Sequence, residues 1–169
     1  VSGCYDNGLE MEEVVSLTKA IVEHGGRLKL GKKIILDKHC VGGLAGNRTS
    51  MVIVPIIAAA GYTIPKTSSR AISSASGTAD TVEVLCPVSL SVKEVTNVVK
   101  KTNGCLVWGG AMGMASADDR LIKIEKLLSL DPRGLLLASI MAKKMSVGAT
   151  HVLVDIPCGK EAKIKNMIE

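Results

Sequence analysis

The chain has 169 residues, 47% of them hydrophobic and 22% charged, which is length for one domain, or one and a part, with a real core and too little polarity for a disordered segment. A net charge of +5 suits anionic substrates. With only 2% aromatic residues and no Phe, the chain lacks the platforms on which single-strand binders stack bases, so no nucleic-acid partner is expected.

The longest apolar run, Met51 to Ala60, is too short for a bilayer, which needs about 20 residues, and no secretory pattern opens the chain. No membrane partner is expected. Five scattered cysteines, Cys4, Cys40, Cys86, Cys105 and Cys158, form no Cys-x-x-Cys pair. Their odd number argues against a disulfide framework and against zinc, and a reducing cytoplasm fits best. The chain starts at Val1 without an initiator Met, which suggests a domain or fragment of something larger.

Residues 9–24 read as a helix, with Leu9, Val14, Leu17, Ile21 and Val22 near helical spacing and Gly25-Gly26 as its stop. A strand over Ile34–Leu36 follows, with Asp37-Lys38-His39 at its exit and the turn Gly42-Gly43-x-x-Gly46 beyond. Glycines there let the backbone approach an anion, although no Gly-Lys pair precedes Thr49-Ser50 as a Walker A loop requires. Helix 48–61 is apolar nearly all round and is expected to be buried. Thr63–Lys66 returns as a short strand.

The segment from Ser68 to Thr78 holds five serines and a threonine together with Arg70, then enters a helix near Thr78. Capping and turn chemistry account for two of these hydroxyls and leave the rest for a ligand. Residues 91–103 form an amphipathic helix ended by Asn103-Gly104, and the strand Cys105–Trp108 runs into another glycine-rich exit. From Asp118 the pattern is helical, with Leu121, Ile122, Ile124, Leu127 and Leu128 expected to pack and Lys123, Glu125 and Lys126 to face water. Asp131 is placed as the N-cap of a second helix, running to about Val147, with Pro132 at its first position. Ser139 lies two turns on and Lys143 one turn beyond it. His151–Ile156 is the last strand, and Lys160–Glu169 reads as a final helix.

Strands with apolar interiors alternating with helices predict an α/β fold: a mostly parallel sheet with helices on both faces, plus a small helical lobe. The helical lobe is expected from residues 1–30 and 117–148, and an α/β phosphate-binding lobe from 31–116 and 149–169. Loops at the carboxyl ends of such strands are where ligands bind, and helix N-termini there favour phosphate.

Asp37-Lys38-His39-Cys40-Val41-Gly42-Gly43, followed by Arg48-Thr49-Ser50, resembles the signature of the thymidine phosphorylase family. Ile64 to Ser74, Gly77 to Asp80 and Ser129 to Gly134 resemble the archaeal AMP phosphorylase branch of it. The resemblance covers essentially the whole chain but only the central part of the family's longer chain. It implies a nucleoside phosphorylase class II-like fold and a pentosyltransferase that converts AMP and phosphate to adenine and ribose 1,5-bisphosphate. It implies inorganic phosphate as co-substrate with no other cofactor and no metal, and a homo-oligomer when full length. By position, Asp131 would donate a proton to the leaving base. Gly43, Ser69, Arg70, Ala71, Ile72, Ser73, Ser74, Thr78, Ser139 and Lys163 would contact nucleotide or phosphate, and Lys38 matches a family lysine in the phosphate loop.

Two positions depart from the family. Cys40 replaces the usual serine, and a thiol is a weak donor. Ile124 stands where pyrimidine-specific members carry a base-reading arginine. Three readings therefore stay open: an AMP phosphorylase, a pyrimidine nucleoside phosphorylase, and a non-catalytic phosphate-binding module.

Overall fold

The computed structural model describes residues 1–41, 48–71, 77–113, 116–162 and 164–166. In chain order these form α1 (Ser2–Asp6), α2 (Met11–Glu23), β1 (Leu36–Cys40), α3 (Thr49–Ala59), β2 (Ile64–Ser68), α4 (Thr78–Glu83), α5 (Val92–Thr102) and β3 (Gly104–Trp108). A 3-10 turn over Gly109–Met112, α6 (Ser116–Leu128), α7 (Arg133–Ser146) and β4 (His151–Asp155) complete the order. The strands pair in parallel, β1 with β4 from Leu36↔His151 to Cys40↔Asp155, and β2 with β3 from Ile64↔Gly104 to Ser68↔Trp108. Parallel strands separated by helices are the predicted α/β architecture.

Among the described residues a single parallel bridge, Ile35↔Thr63, joins the two pairs, with Leu36 N–H donating to the Thr63 carbonyl at 2.8 Å. Backbone groups of alternate residues point to the same neighbour, so Pro65 and Thr67 also turn theirs towards β1. Pro65 has no N–H to give, and the ladder does not continue past it. The sheet thus parts between β1 and β2 towards their carboxyl ends.

Helices α2 and α7 pack through Val14, Ile21, Val22, Ala138 and Ala142, and small alanines on α7 let the two axes come close. A second core joins α5 and β3 (Val95, Val99, Cys105, Val107) to Val147 just past α7. Helix α5 begins with Ser91 accepting from the Glu94 N–H and ends at Asn103 in the left-handed conformation (φ 61°). Its end is the one the sequence placed there.

Five local expectations are corrected. Strand β1 contains Asp37, Lys38 and His39 rather than ending before them, because Asp37 and Lys38 find partners across the fold. Helix α3 buries only one side: Ser50 and Val54 are buried, whereas Val52 and Ile56 are more than half exposed. On α6 the phase is turned, with Glu125 buried and Leu127 85% exposed. Helix α7 starts at Arg133 with Pro132 as its N-cap, one residue later than expected for Asp131. The segment after Gly159 closes with a Cys158↔Ile164 bridge, so its described residues form no helix.

Candidate active site

At the parting of β1 and β2, four lysines are buried: Lys38, Lys66, Lys143 and Lys144, none more than 6% exposed. A buried ammonium needs a partner or loses its proton. Lys38 Nζ donates to Asp155 Oδ2 at 3.0 Å, tying β1 to the end of β4. Lys144 Nζ donates to Asp37 Oδ2 at 2.6 Å, and Asp37 Oδ1 accepts from the Lys38 N–H at 2.7 Å. Lys143 Nζ donates to Asp118 Oδ2 and, at 2.5 Å, to Ser139 Oγ, while Ser139 Oγ donates to Asp118 Oδ2 at 3.0 Å. Consecutive lysines at the last turn of α7 thus clamp it to α6 on one side and β1 on the other.

Lys66 differs from the other three. It donates to the main-chain oxygen of Thr67, one of the groups that β1 leaves unpaired. Burial, helped by Lys144, lowers its pKa from 10.5 to about 7, with Asp37 acting the other way. Beside it, Thr67 Oγ1 is buried with no hydrogen-bond partner among the described residues. Burial, then Lys66, Lys144, Lys143 and Lys38, also push the His39 pKa down to about 2, so its ring is neutral at physiological pH. The potential here is strongly positive and suited to an anion.

The described ends of the serine-rich segment are held from the next helix. Asp80, in the first turn of α4, accepts from Ala71 N–H at 2.9 Å, from Gly77 N–H at 3.0 Å and from Arg70 Nη1 at 3.0 Å. Burial pushes this carboxyl up, but those three donors outweigh it and hold the pKa below the ordinary value. Glu83 takes the same guanidinium at both oxygens, 2.6 and 2.7 Å, and the fork lies 4.7 Å over the Trp108 ring. Gly77 permits the closure: a Cβ there would fall 2.7 Å from the Ser69 carbonyl oxygen.

Among the sequence-predicted residues, Ser69, Arg70, Ala71 and Thr78 sit at the two ends of this loop. Arg70 spends its fork on Asp80 and Glu83, anchoring the loop. Ser139 joins Lys143 and Asp118. Asp131 is half-buried two residues before α7 begins, and Ser139 lies within the first two turns of that helix. Gly43, Ile72, Ser73, Ser74 and Lys163 lie outside the described residues. Cys40 ends β1. Sequence reasoning missed Lys66, Lys144, Asp37, Asp118 and Asp155; a lysine within the apolar Ile64–Thr67 run and a Lys-Lys pair inside an apolar helix were the available signals.

Residues 32–162 match the family described as Glycosyl transferase family, a/b domain. The chain is 56% identical over 169 residues to an AMP phosphorylase of Pyrococcus furiosus, covering 100% of this chain and 34% of that protein. It is 55% identical over 166 residues to a protein of Polaromonas sp. named "Putative thymidine phosphorylase", covering 98% and 32%. The chain therefore spans about a third of the length of these relatives. Among solved structures it resembles anthranilate phosphoribosyltransferase from Thermus thermophilus, with a TM-score of 0.70 and 19% identity, covering 85% of this chain and 43% of that one. The Saccharomyces cerevisiae anthranilate phosphoribosyltransferase, in complex with PRPP and Mg, gives 0.61 and 21%, covering 89% and 41%. At such identities the likeness is one of fold.

Proposed function

The chain belongs to the glycosyl transferase family, a/b domain, and from that membership we propose that the protein phosphorolyses nucleoside 5′-monophosphates, converting AMP and phosphate to adenine and ribose 1,5-bisphosphate. The observation that carries this reading is the charge of the buried cluster at the sheet's parting. Among the described residues, Lys38, Lys143 and Lys144 each pair with a carboxylate, of Asp155, Asp118 and Asp37 respectively, whereas the buried Lys66 has no ion-pair partner. An anionic substrate supplies the missing charge.

In the reaction a phosphate oxygen forms the new bond to C1′ of the ribose. The C1′–N bond breaks with its electron pair going to the base, and Asp131 delivers the proton that the base takes up. Positive charge grows on the sugar, and phosphate held by the lysine cluster favours it by position and electrostatics. Protonation of the base removes the opposite charge. Inorganic phosphate is the co-substrate and no other cofactor is required. The loop ends at Ser69–Ala71 and Thr78 would hold the nucleotide, Arg70 acting through its main chain because its fork is occupied.

Relatives bearing both phosphorylase names match at nearly equal identity, so pyrimidine nucleoside phosphorolysis is the second reading. Ile124 on α6 favours the first, since an alkyl side chain gives a pyrimidine no hydrogen bond. Base release by the intact protein from AMP, CMP, UMP and thymidine separates the two. Monophosphates turned over faster than thymidine support the proposal, and the reverse order overturns it.

A further inference from the structure

We propose that Lys66 is the cationic anchor of a phosphate subsite lying between β1 and β2, a role that rests on the phosphorolysis reading above and assigns it a further binding residue. The pairing of the cluster singles this lysine out. Lys38, Lys143 and Lys144 each have a carboxylate within ion-pair distance. Lys66 has none among the described residues, and its hydrogen bond goes to the Thr67 carbonyl alone. An ammonium has three protons to donate, so capacity remains.

Its position is built rather than incidental. Pro65 stops the β1–β2 ladder, and Lys66 reaches the carbonyl which that stop leaves open. The carboxyl ends of these strands lead into the two glycine- and hydroxyl-rich segments. Among the described residues, β1 presents Asp37, Lys38 and His39 to Lys66, and α7 presents Lys143 and Lys144. Strand β3 carries no charged residue and only the buried Cys105 thiol, α5 keeps Lys93, Glu94, Lys100 and Lys101 exposed, and α3 carries no charged residue. Asp37 is already committed to Lys144. A fully buried lysine so placed sheds its proton when nothing faces it, and takes one up when an anion does. The ligand class is a phosphate dianion, either inorganic phosphate or the 5′-phosphate of the nucleotide.

The test uses the intact protein and its Lys66→Met variant, which keeps most of the unbranched side-chain length and removes the charge. At pH 8 a phosphomonoester is fully ionised, whereas Lys66, titrating near 7, is mostly neutral. His39, titrating near 2, stays neutral throughout. Titration calorimetry in two buffers of different ionisation enthalpy should therefore show uptake of about one proton per phosphate or AMP bound by the wild type, and none by Lys66→Met. The variant should also raise a KM by about 10- to 100-fold, as loss of a charge-assisted hydrogen bond does. A rise in the KM for AMP alone assigns the subsite to the nucleotide's phosphate. A rise in the KM for inorganic phosphate assigns it to the co-substrate. No proton uptake in the wild type, or unchanged KM values for both in a folded variant, overturns the proposal. If AMP is bound with proton uptake but never cleaved, the subsite stands and the phosphorolysis reading fails. The wild-type proton measurement decides the matter even if Lys66→Met does not fold.

Discussion

Asp80 ties together the two described ends of the serine-rich segment, and replacing it by alanine is the perturbation with the most specific consequence. Its two carboxyl oxygens gather Ala71 N–H, Gly77 N–H and the Arg70 guanidinium, at 2.9 to 3.0 Å. Hydrogen bonds to a charged group contribute about 1.5–3 kcal/mol each when buried. Asp80 is about 29% exposed, so solvent screening reduces each to roughly 1 kcal/mol. Removing all three costs about 2–3 kcal/mol, and the loop ends at Ala71 and Gly77 lose their common tether. In a protein of this size that lowers the melting temperature by about 5–10 °C. Asp80→Asn should cost less, because an amide oxygen still accepts from one side. Because native hydrogen bonds hold the Asp80 pKa low, its stabilisation is present above the unfolded value of 3.8 and is lost as pH falls below it. Thermal melts of the wild type and both variants, at pH 7 and pH 3, test this together with phosphate binding at pH 7. An Asp80→Ala protein with unchanged melt and unchanged phosphate affinity would refute the loop-closure account.

Other perturbations follow from the same geometry. Asp131→Asn should leave melting and nucleotide binding nearly intact while turnover falls roughly 10²–10⁴-fold, the loss typical of a missing general acid; an unchanged rate per folded molecule removes Asp131 from the chemistry. Asp118→Ala strands the buried Lys143 ammonium and should cost about 3–5 kcal/mol, read by denaturant unfolding. Without ligand, Lys66→Met should melt above the wild type at pH 7. In the wild type the unfolded chain binds more protons between pH 7 and 10.5, so that advantage should fade as pH rises to 10.5. His39 is neutral when folded and protonated below about 6.5 when unfolded, so stability should decline as pH drops below that value, and less so in His39→Gln.

What the sequence disclosed and what it hid have one physical cause. Helices α2 and α5 and strand β3 bury apolar stripes whose periodicity lies within their own sequence and announces them, even where, as for α2 on α7, the partner is distant in the chain. Their caps are local chemistry: Ser91 reaches three residues ahead to Glu94, and Asn103 adopts a left-handed turn. Asp37, Lys38 and His39 look like a loop because charged side chains seldom lie inside a sheet. They lie there because Lys144 and Asp155, more than a hundred residues away, pair with the first two, and no local rule sees such partners. The phase of α6 is hidden for a related reason, since a buried Glu125 and an exposed Leu127 contradict side-chain polarity. The proposed catalytic and nucleotide residues came through resemblance. Lys66 became visible only with the pairing of every other buried lysine.

The central claim is that the sugar product carries two phosphates. The intact protein, supplied with AMP and inorganic phosphate, can be followed by phosphorus NMR with base release measured in parallel. The expected product shows two phosphoryl resonances of equal intensity, one on C1 and one on C5, formed in step with free adenine. Unaltered AMP, together with a singly phosphorylated sugar from thymidine, would contradict it.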